Sequence, residues 1–251
     1  MNEIIKRIKK ELKKNIDLEY KESVKRFFKK EDIEKAKEEG YSKSYGVRTP
    51  MVRKISAKYF KAIRDLTKKE ILDLCKELLE SGYSEERGIA FFWAYRLKEQ
   101  YEPSDFKLFK TWLEKYIHGW ASCDSLCTGA LGEFIIQFPE FIQEVKKWTE
   151  SNNRWKRRAS AVVMINSVRK KEYLATIFEI ADRLLLDEDD LVQKGYGWML
   201  KEASNHYPEE VFNYVMKNKH KMPRTALRYA IEKLPAQLRG EAMKKTRKRR
   251  T

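Results

Sequence analysis

Cysteine and histidine are scarce in this sequence, with three of each among 251 residues. Cys75, Cys123 and Cys127 have no Cys or His cluster at zinc-ligand spacing, and His118, His206 and His220 share none, so no metal is expected. A chain of this length buries a sufficient core without disulfides. The three thiols read as buried small residues in a reducing cytoplasm. Glycine (10) and proline (6) are also few, and no glycine-rich phosphate loop or iron–sulfur cysteine set occurs, so no cofactor is expected. Long apolar runs are missing too. No stretch reaches transmembrane length, and the amphipathic start MNEIIKRIKKELKK lacks the apolar centre of a signal peptide. A cytoplasmic protein with no membrane partner is the expectation.

Charge is what the sequence has in excess. Lys plus Arg number 54 against 38 acidic residues, a net charge of +16. That balance points to a polyanion, with nucleic acid ahead of an anionic membrane surface. Part of the excess sits in the final stretch, where residues 241–251 read as a basic, flexible tail. The rest is spread through the body of the chain, 1–240, read as one domain.

The apolar period stays near 3.6 throughout, which predicts helices and no strand. Residues 3 to 39 read as two helices capping the core, with the second ending at Gly40. In KSYGVRTPMVRKI, Gly46 and Pro50 mark a turn, Thr49 is a candidate cap, and Arg48 and Arg53 place positive charge at a helix start suited to phosphate. From residue 68 helices alternate with short joins. The second helix of successive pairs opens on related phrases, ERGIA, CDSLC, RRASA, QKGYG and RTALR. Stepping through Arg87, Asp124, Arg158, Lys194 and Thr225 gives intervals of 37, 34, 36 and 31 residues. Helix pairs of that period stack into an all-α solenoid of the HEAT or armadillo type, expected here as a right-handed superhelix over about 45–238; the alternative is an irregular helical bundle.

In such an array equivalent positions form a column on the concave face. Asp124, Arg158 and Lys194 would share it, with Trp120 and Trp198 one turn to either side. Trp120 and Asp124, four residues apart, share a helix face. A carboxylate beside an indole on a basic protein suits a cationic species; helix capping and ordinary packing are the plainer explanation. Trp93, Trp112 and Trp148 lie in apolar runs and read as core. Trp155, between Arg154 and Lys156, reads as a DNA-backbone contact or an amphipathic surface residue. Lys156, Arg157 and Arg169 are candidate phosphate ligands.

Five phrases, YGVRTPMVRKI, GWASCDSL, NNRWKRRASAV, QKGYGWMLKEASNHYPEEVFNYV and RTALRYAIEKL, resemble the AlkD-like family of bacterial DNA alkylation repair glycosylases built on HEAT-like repeats. The resemblance runs from about Tyr45 to Pro235. It implies a basic concave cleft that takes duplex DNA containing alkylated bases, with no cofactor, no metal and no obligate protein partner. It implies that Asp124 is the catalytic carboxylate, Trp120 and Trp198 its aromatic partners and Arg158 the site guanidinium. It also implies a monomer associated with the nucleoid through DNA. The family pattern carries a WWDxVD phrase where this chain reads GWASCD, so Gly119 and Ala121 remove bulk beside the retained pair.

The reaction implied is hydrolysis of the N-glycosidic bond of N3- or N7-alkylated purines. Such a base is already cationic and leaves readily. The protein must stabilise an oxocarbenium-like sugar and place a water, tasks suited to Asp124, with Glu133 and Asp182 as lesser candidates. Aromatic faces add cation–π attraction. Two other readings stand beside this one: a non-catalytic binder of branched, bent or damaged DNA on the same fold, and a protein-interaction scaffold.

Overall fold

Helices make up the regular structure, as the 3.6-residue period predicts. The computed structural model describes residues 3–244; among them there is no strand, and the bridge between Lys43 and Tyr83 is isolated. The chain divides into two compact units, Met1–Phe134 and Ile135–Thr251.

The first unit holds α1 (Glu3–Lys14), α2 (Leu18–Lys25), α3 (Lys30–Glu38), α4 (Thr49–Ile63), α5 (Lys68–Glu80), α6 (Ser84–Arg96), α7 (Asp105–Lys115) and α8 (Trp120–Cys127). Helix α9 (Ala130–Gln137) crosses the boundary. Ile5, Ile8 and Leu12, at three-to-four spacing, are fully buried and set the inward face of α1, which packs on α4. Helices α4 and α5 both lie on α6, and α6 meets α8. Trp93 is fully buried and its indole N–H donates to the Ser56 carbonyl at 3.0 Å, so the core meets its polar need within α4. Thr67 starts α5 with a capping box closed by Glu70.

The second unit holds α10 (Ile142–Lys147), α11 (Arg154–Val162), α12 (Ile165–Arg169), α13 (Leu174–Arg183), α14 (Asp190–Ala203), α15 (Pro208–Asn218), α16 (Arg224–Ala230) and α17 (Ala236–Met243). Helix α14 is its hub, packing on α11, α12, α13 and α16. The sequence GYG makes this possible. A Cβ on Gly195 would fall 3.1 Å from Arg158 Cγ, and one on Gly197 would fall 2.7 Å from Tyr229 Cβ and 2.9 Å from the Ala226 carbonyl oxygen. Gly197→Ala is therefore expected to destabilise the fold by ~1–3 kcal/mol, since backbone of α16 must move. Urea unfolding checks this, and an unchanged midpoint would contradict the close packing.

Several local readings need correction. Residues 3–39 form three helices instead of two, because the chain breaks at 26–29: the N–H groups of Phe27 and Phe28 turn back onto the carbonyls of Val24 and Lys25. The segment from Trp120 forms two helices. Thr128 closes α8 by donating both its N–H and its hydroxyl to the Asp124 carbonyl, and a Cβ on Gly129 would fall 2.6 Å from the Ser125 carbonyl oxygen. Thr49 lies inside α4, whose cap is Arg48 with no side-chain capping bond. Residues 241–243 belong to α17, and the rest of the basic end, 245–251, lies outside the described residues.

The repeat is more regular than the sequence phrases show. Helices α6, α8, α11, α14 and α16 begin at Ser84, Trp120, Arg154, Asp190 and Arg224, spaced by 36, 34, 36 and 34 residues. Asp124, Arg158 and Lys194 are each the fifth residue of their helix. Trp93, Trp112 and Trp148 are buried, as are all three cysteines, which carry free thiols.

Candidate active site

Helix α8 is short and half apolar. Cys123, Leu126 and Cys127 are buried and fix its inward face, leaving Trp120 and Asp124 half-buried one turn apart. Gly119 caps it in an extended conformation (φ −172°). The Trp120 ring stacks on Phe28, with centroids 5.5 Å apart and planes 21° apart, and its indole N–H donates to the Phe27 carbonyl at 3.4 Å. The break at 26–29 therefore has a tertiary purpose: it turns two aromatic residues toward α8. The residue before Gly119 is tied to the same segment. His118 stacks on Tyr41 at 4.3 Å, meets the Glu39 carboxylate through Nδ1 and faces the Lys115 carbonyl through Nε2. Burial pushes its pKa below the ordinary histidine value, against the opposing pull of Lys115 and Glu39.

Arg48 and Arg53 stand at the start of α4. Arg48 pairs with Asp17 (2.7 Å) and lies over the Tyr20 ring, while Arg53 lies over Phe92 at 5.5 Å. Both are exposed. The loop before them is held by one carboxylate. Glu85, 6% exposed, accepts the backbone N–H groups of Tyr45, Gly46 and Val47 and the hydroxyls of Ser44 and Ser84. Its neighbour Glu86 accepts the Tyr45 hydroxyl at 2.7 Å; burial, aided by that bond, pushes the Tyr45 pKa far up.

In the second unit the basic residues of α11 meet the acidic start of α14. Arg154 pairs with Asp189 (2.6 Å) and Arg157 with Asp187 (2.7 Å), and Lys194 reaches Asp190 at 3.1 Å. Arg158 is only 5% exposed and donates to the Leu191 carbonyl. Arg87, at the matching place in α6, is equally buried and donates to the Tyr41 carbonyl; burial pushes it down to about 10. Trp155 is a correction. It is 9% exposed with Arg154 over its ring, so it packs inward and the charges beside it cover it. Lys156 remains half-exposed. Of the lesser carboxylates, Glu133 is half-buried in α9, and Asp182 accepts the Tyr214 hydroxyl at 2.8 Å.

Trp198 is half-buried on α14, and its indole N–H donates to Glu202 at 2.9 Å; the other oxygen of Glu202 takes Arg169 Nε at 3.0 Å. One carboxylate thus brings two of the expected residues together. The sequence reading passed over Glu202, although it stands four residues after Trp198 on the same face. Burial raises the pKa of Glu202, but the hydrogen bonds from Arg169 and Trp198 outweigh it and leave the carboxyl below its ordinary value. A depressed carboxylate contributes stability above its unfolded pKa and loses it as pH falls through the folded value. Glu202→Gln should therefore cost stability at about pH 7 and much less below about pH 4. Urea midpoints at the two pH values test this, and equal penalties would contradict it.

The structure thus groups Trp120 with Asp124 in the first unit, and Arg158, Lys194, Trp198 and Arg169 around α14 in the second. Among the described residues no group of His, Cys, Asp and Glu has the arrangement of a metal site, and no helix is long and apolar enough to cross a membrane.

These features, an all-helical chain with a recurring helix pair and an indole–carboxylate turn under strong positive charge, define a class met in DNA repair. Residues 8–234 match the family described as DNA alkylation repair enzyme, and the chain belongs to that family. The match runs across the boundary between the two units. A solved structure described as a predicted DNA alkylation repair enzyme from Enterococcus faecalis is similar, with a TM-score of 0.70 at 16% identity, covering 82% of this chain and 96% of that one. At that identity the likeness is one of fold. No curated protein matches.

Proposed function

We propose that this member of the DNA alkylation repair family is a DNA glycosylase that hydrolyses the N-glycosidic bond of N3- and N7-alkylated purines in duplex DNA. The observation that carries the proposal is the pairing of Trp120 and Asp124 on the accessible face of α8, with the indole held from behind by Phe27 and Phe28. As the cationic base departs with the bonding electrons, positive charge develops at the sugar. The Asp124 carboxylate stabilises that charge and accepts a proton from the water that attacks C1′, and the product is an abasic site and the free base. The Trp120 face adds cation–π attraction worth ~0.5–2 kcal/mol. No protonation of the leaving group is needed.

The recurrence of helix starts every 34 to 36 residues supports the HEAT-like reading of the fold. In this account Arg48, Arg53, Lys156 and Arg169 contact phosphates, and Trp198, oriented by Glu202, offers a second aromatic face. Arg158 and Arg157 support the start of α14. DNA is the only partner required, and the protein acts in the cytoplasm as a monomer.

Incubation with a duplex carrying one 7-methylguanine, followed by alkaline cleavage at abasic sites, tests the proposal. Strand scission at the lesion is the expected result. A second reading, non-catalytic binding to damaged or branched DNA, rests on the GWASCD phrase, where Gly119 and Ala121 leave α8 less bulky. It gives binding with a steep salt dependence and no scission.

A further inference from the structure

The loop that holds Trp120 carries a second aromatic ring that the account so far leaves without a task. Phe28 turns inward to stack on Trp120, while its neighbour Phe27 is 63% exposed. Leaving a large apolar ring in water gains nothing for the fold. Yet the ring is carried on an ordered support. The Phe27 N–H is bonded to the Val24 carbonyl (3.0 Å), the Phe28 N–H to the Lys25 carbonyl (3.2 Å), and the Phe27 carbonyl accepts the Trp120 indole. Downstream, the contacts of Glu39 and Tyr41 with His118 tie the same segment to the turn before α8.

The surroundings of Phe27 state what kind of partner it fits. The stretch reads KRFFKK: Lys25, Arg26, Lys29 and Lys30 flank the two rings and all are exposed. Lys25 is paired with Glu22, and Lys29 lies 3.9 Å from Glu31, while the Arg26 guanidinium sits 5.6 Å over the Phe27 ring itself. An exposed aromatic ring with a guanidinium over it and lysines to both sides is the combination that single-stranded or locally unstacked nucleic acid uses: charge for the backbone, a flat face for a base. A protein partner would be met by apolar neighbours beside the ring, and here the neighbours in sequence are cations.

We propose that Phe27 is a base-stacking residue, which packs against a nucleobase at the distorted step where α8 engages the duplex. The inference rests on the glycosylase reading for its location, since Phe27 is fixed to Trp120. Its chemistry is aromatic stacking, separate from the Asp124 step. Because the loop is anchored before DNA arrives, the ring need not be ordered on binding, which favours its use as a wedge.

The test uses the full chain, a duplex with a central 7-methylguanine and 2-aminopurine as its neighbour, and the variants Phe27→Ala and Phe27→Trp. Thermal unfolding confirms that each variant folds. The wild type is expected to raise 2-aminopurine fluorescence on binding, reporting an unstacked step. Phe27→Ala should lose that rise and bind ~5- to 100-fold more weakly, with the slope of affinity against salt unchanged, because no cation was removed. Phe27→Trp should retain both signals. Equal affinity and equal fluorescence for wild type and Phe27→Ala, with base release intact in both, would overturn the stacking role and leave the glycosylase reading standing. A wild type that binds the duplex and unstacks it through Phe27 but releases no base would support the stacking role and remove the glycosylase reading. Binding to phosphatidylglycerol vesicles that depends on Phe27, with DNA binding independent of it, would overturn the proposal in favour of a membrane contact.

Discussion

Asp124→Asn is expected to lower the rate of base release by ~10²–10⁴-fold, the range over which a positioned acid–base group contributes, while duplex affinity stays within a few-fold of wild type. The split follows from where the carboxylate acts. Asp124 stands on α8 at the half-buried face, and in the ground state it has little to hold: a phosphate backbone repels it, and the intact sugar carries no charge. Its attraction grows only as the C1′ bond to the base opens, so the loss belongs to the transition state. Asparagine preserves size and hydrogen bonding and removes only the charge and the basicity. The helix is not at risk, because α8 is closed by the Asp124 backbone carbonyl, which accepts from Thr128, and is held by Cys123, Leu126 and Cys127. Single-turnover kinetics on a 7-methylguanine duplex with a parallel binding titration makes the measurement. An unaltered rate would remove Asp124 from the chemistry.

Glu85→Ala is expected to lower the free energy of unfolding by ~3–5 kcal/mol, the range for stripping one partner from a buried charged network. The carboxylate satisfies three consecutive backbone N–H groups, those of Tyr45, Gly46 and Val47. Removing it leaves buried donors with no acceptor in a loop that cannot close on itself. The same loop leads into Arg48 and Arg53, so the variant should also weaken DNA binding. Glu85→Gln, which keeps an acceptor oxygen, should fall between the two. Chemical denaturation distinguishes these outcomes, and an Ala variant as stable as wild type would contradict the clamp.

The helices and their approximate period were legible in the sequence because both depend on local pattern: apolar spacing near 3.6, Thr67 with Glu70, and the recurring phrases that open α6, α8, α11, α14 and α16. The breaks were not. The turn at 26–29 is decided by Phe28 reaching Trp120, 92 residues away in sequence, and no local propensity announces it. Trp155 was misread for a related reason. The charges flanking it look like a solvated face, yet Arg154 folds over the ring and pairs with Asp189. Glu85 was invisible as a loop clamp, since its partners lie about forty residues upstream. Glu202 was within reach, because an indole and a carboxylate four residues apart on one helix are neighbours by geometry alone. The pairing of Trp120 and Asp124 was read from that same spacing.

The central claim is that this chain breaks a glycosidic bond, and one measurement addresses it most directly. Duplex DNA carrying a single 7-methylguanine, and a second duplex carrying 3-methyladenine, are incubated with the intact protein, and released base is quantified by mass spectrometry beside the Asp124→Asn variant. The account predicts free 7-methylguanine and an abasic strand from the wild type and almost none from the variant. Tight, salt-dependent binding to both duplexes with neither base released would contradict it, and would make this member of the family a binder of damaged DNA.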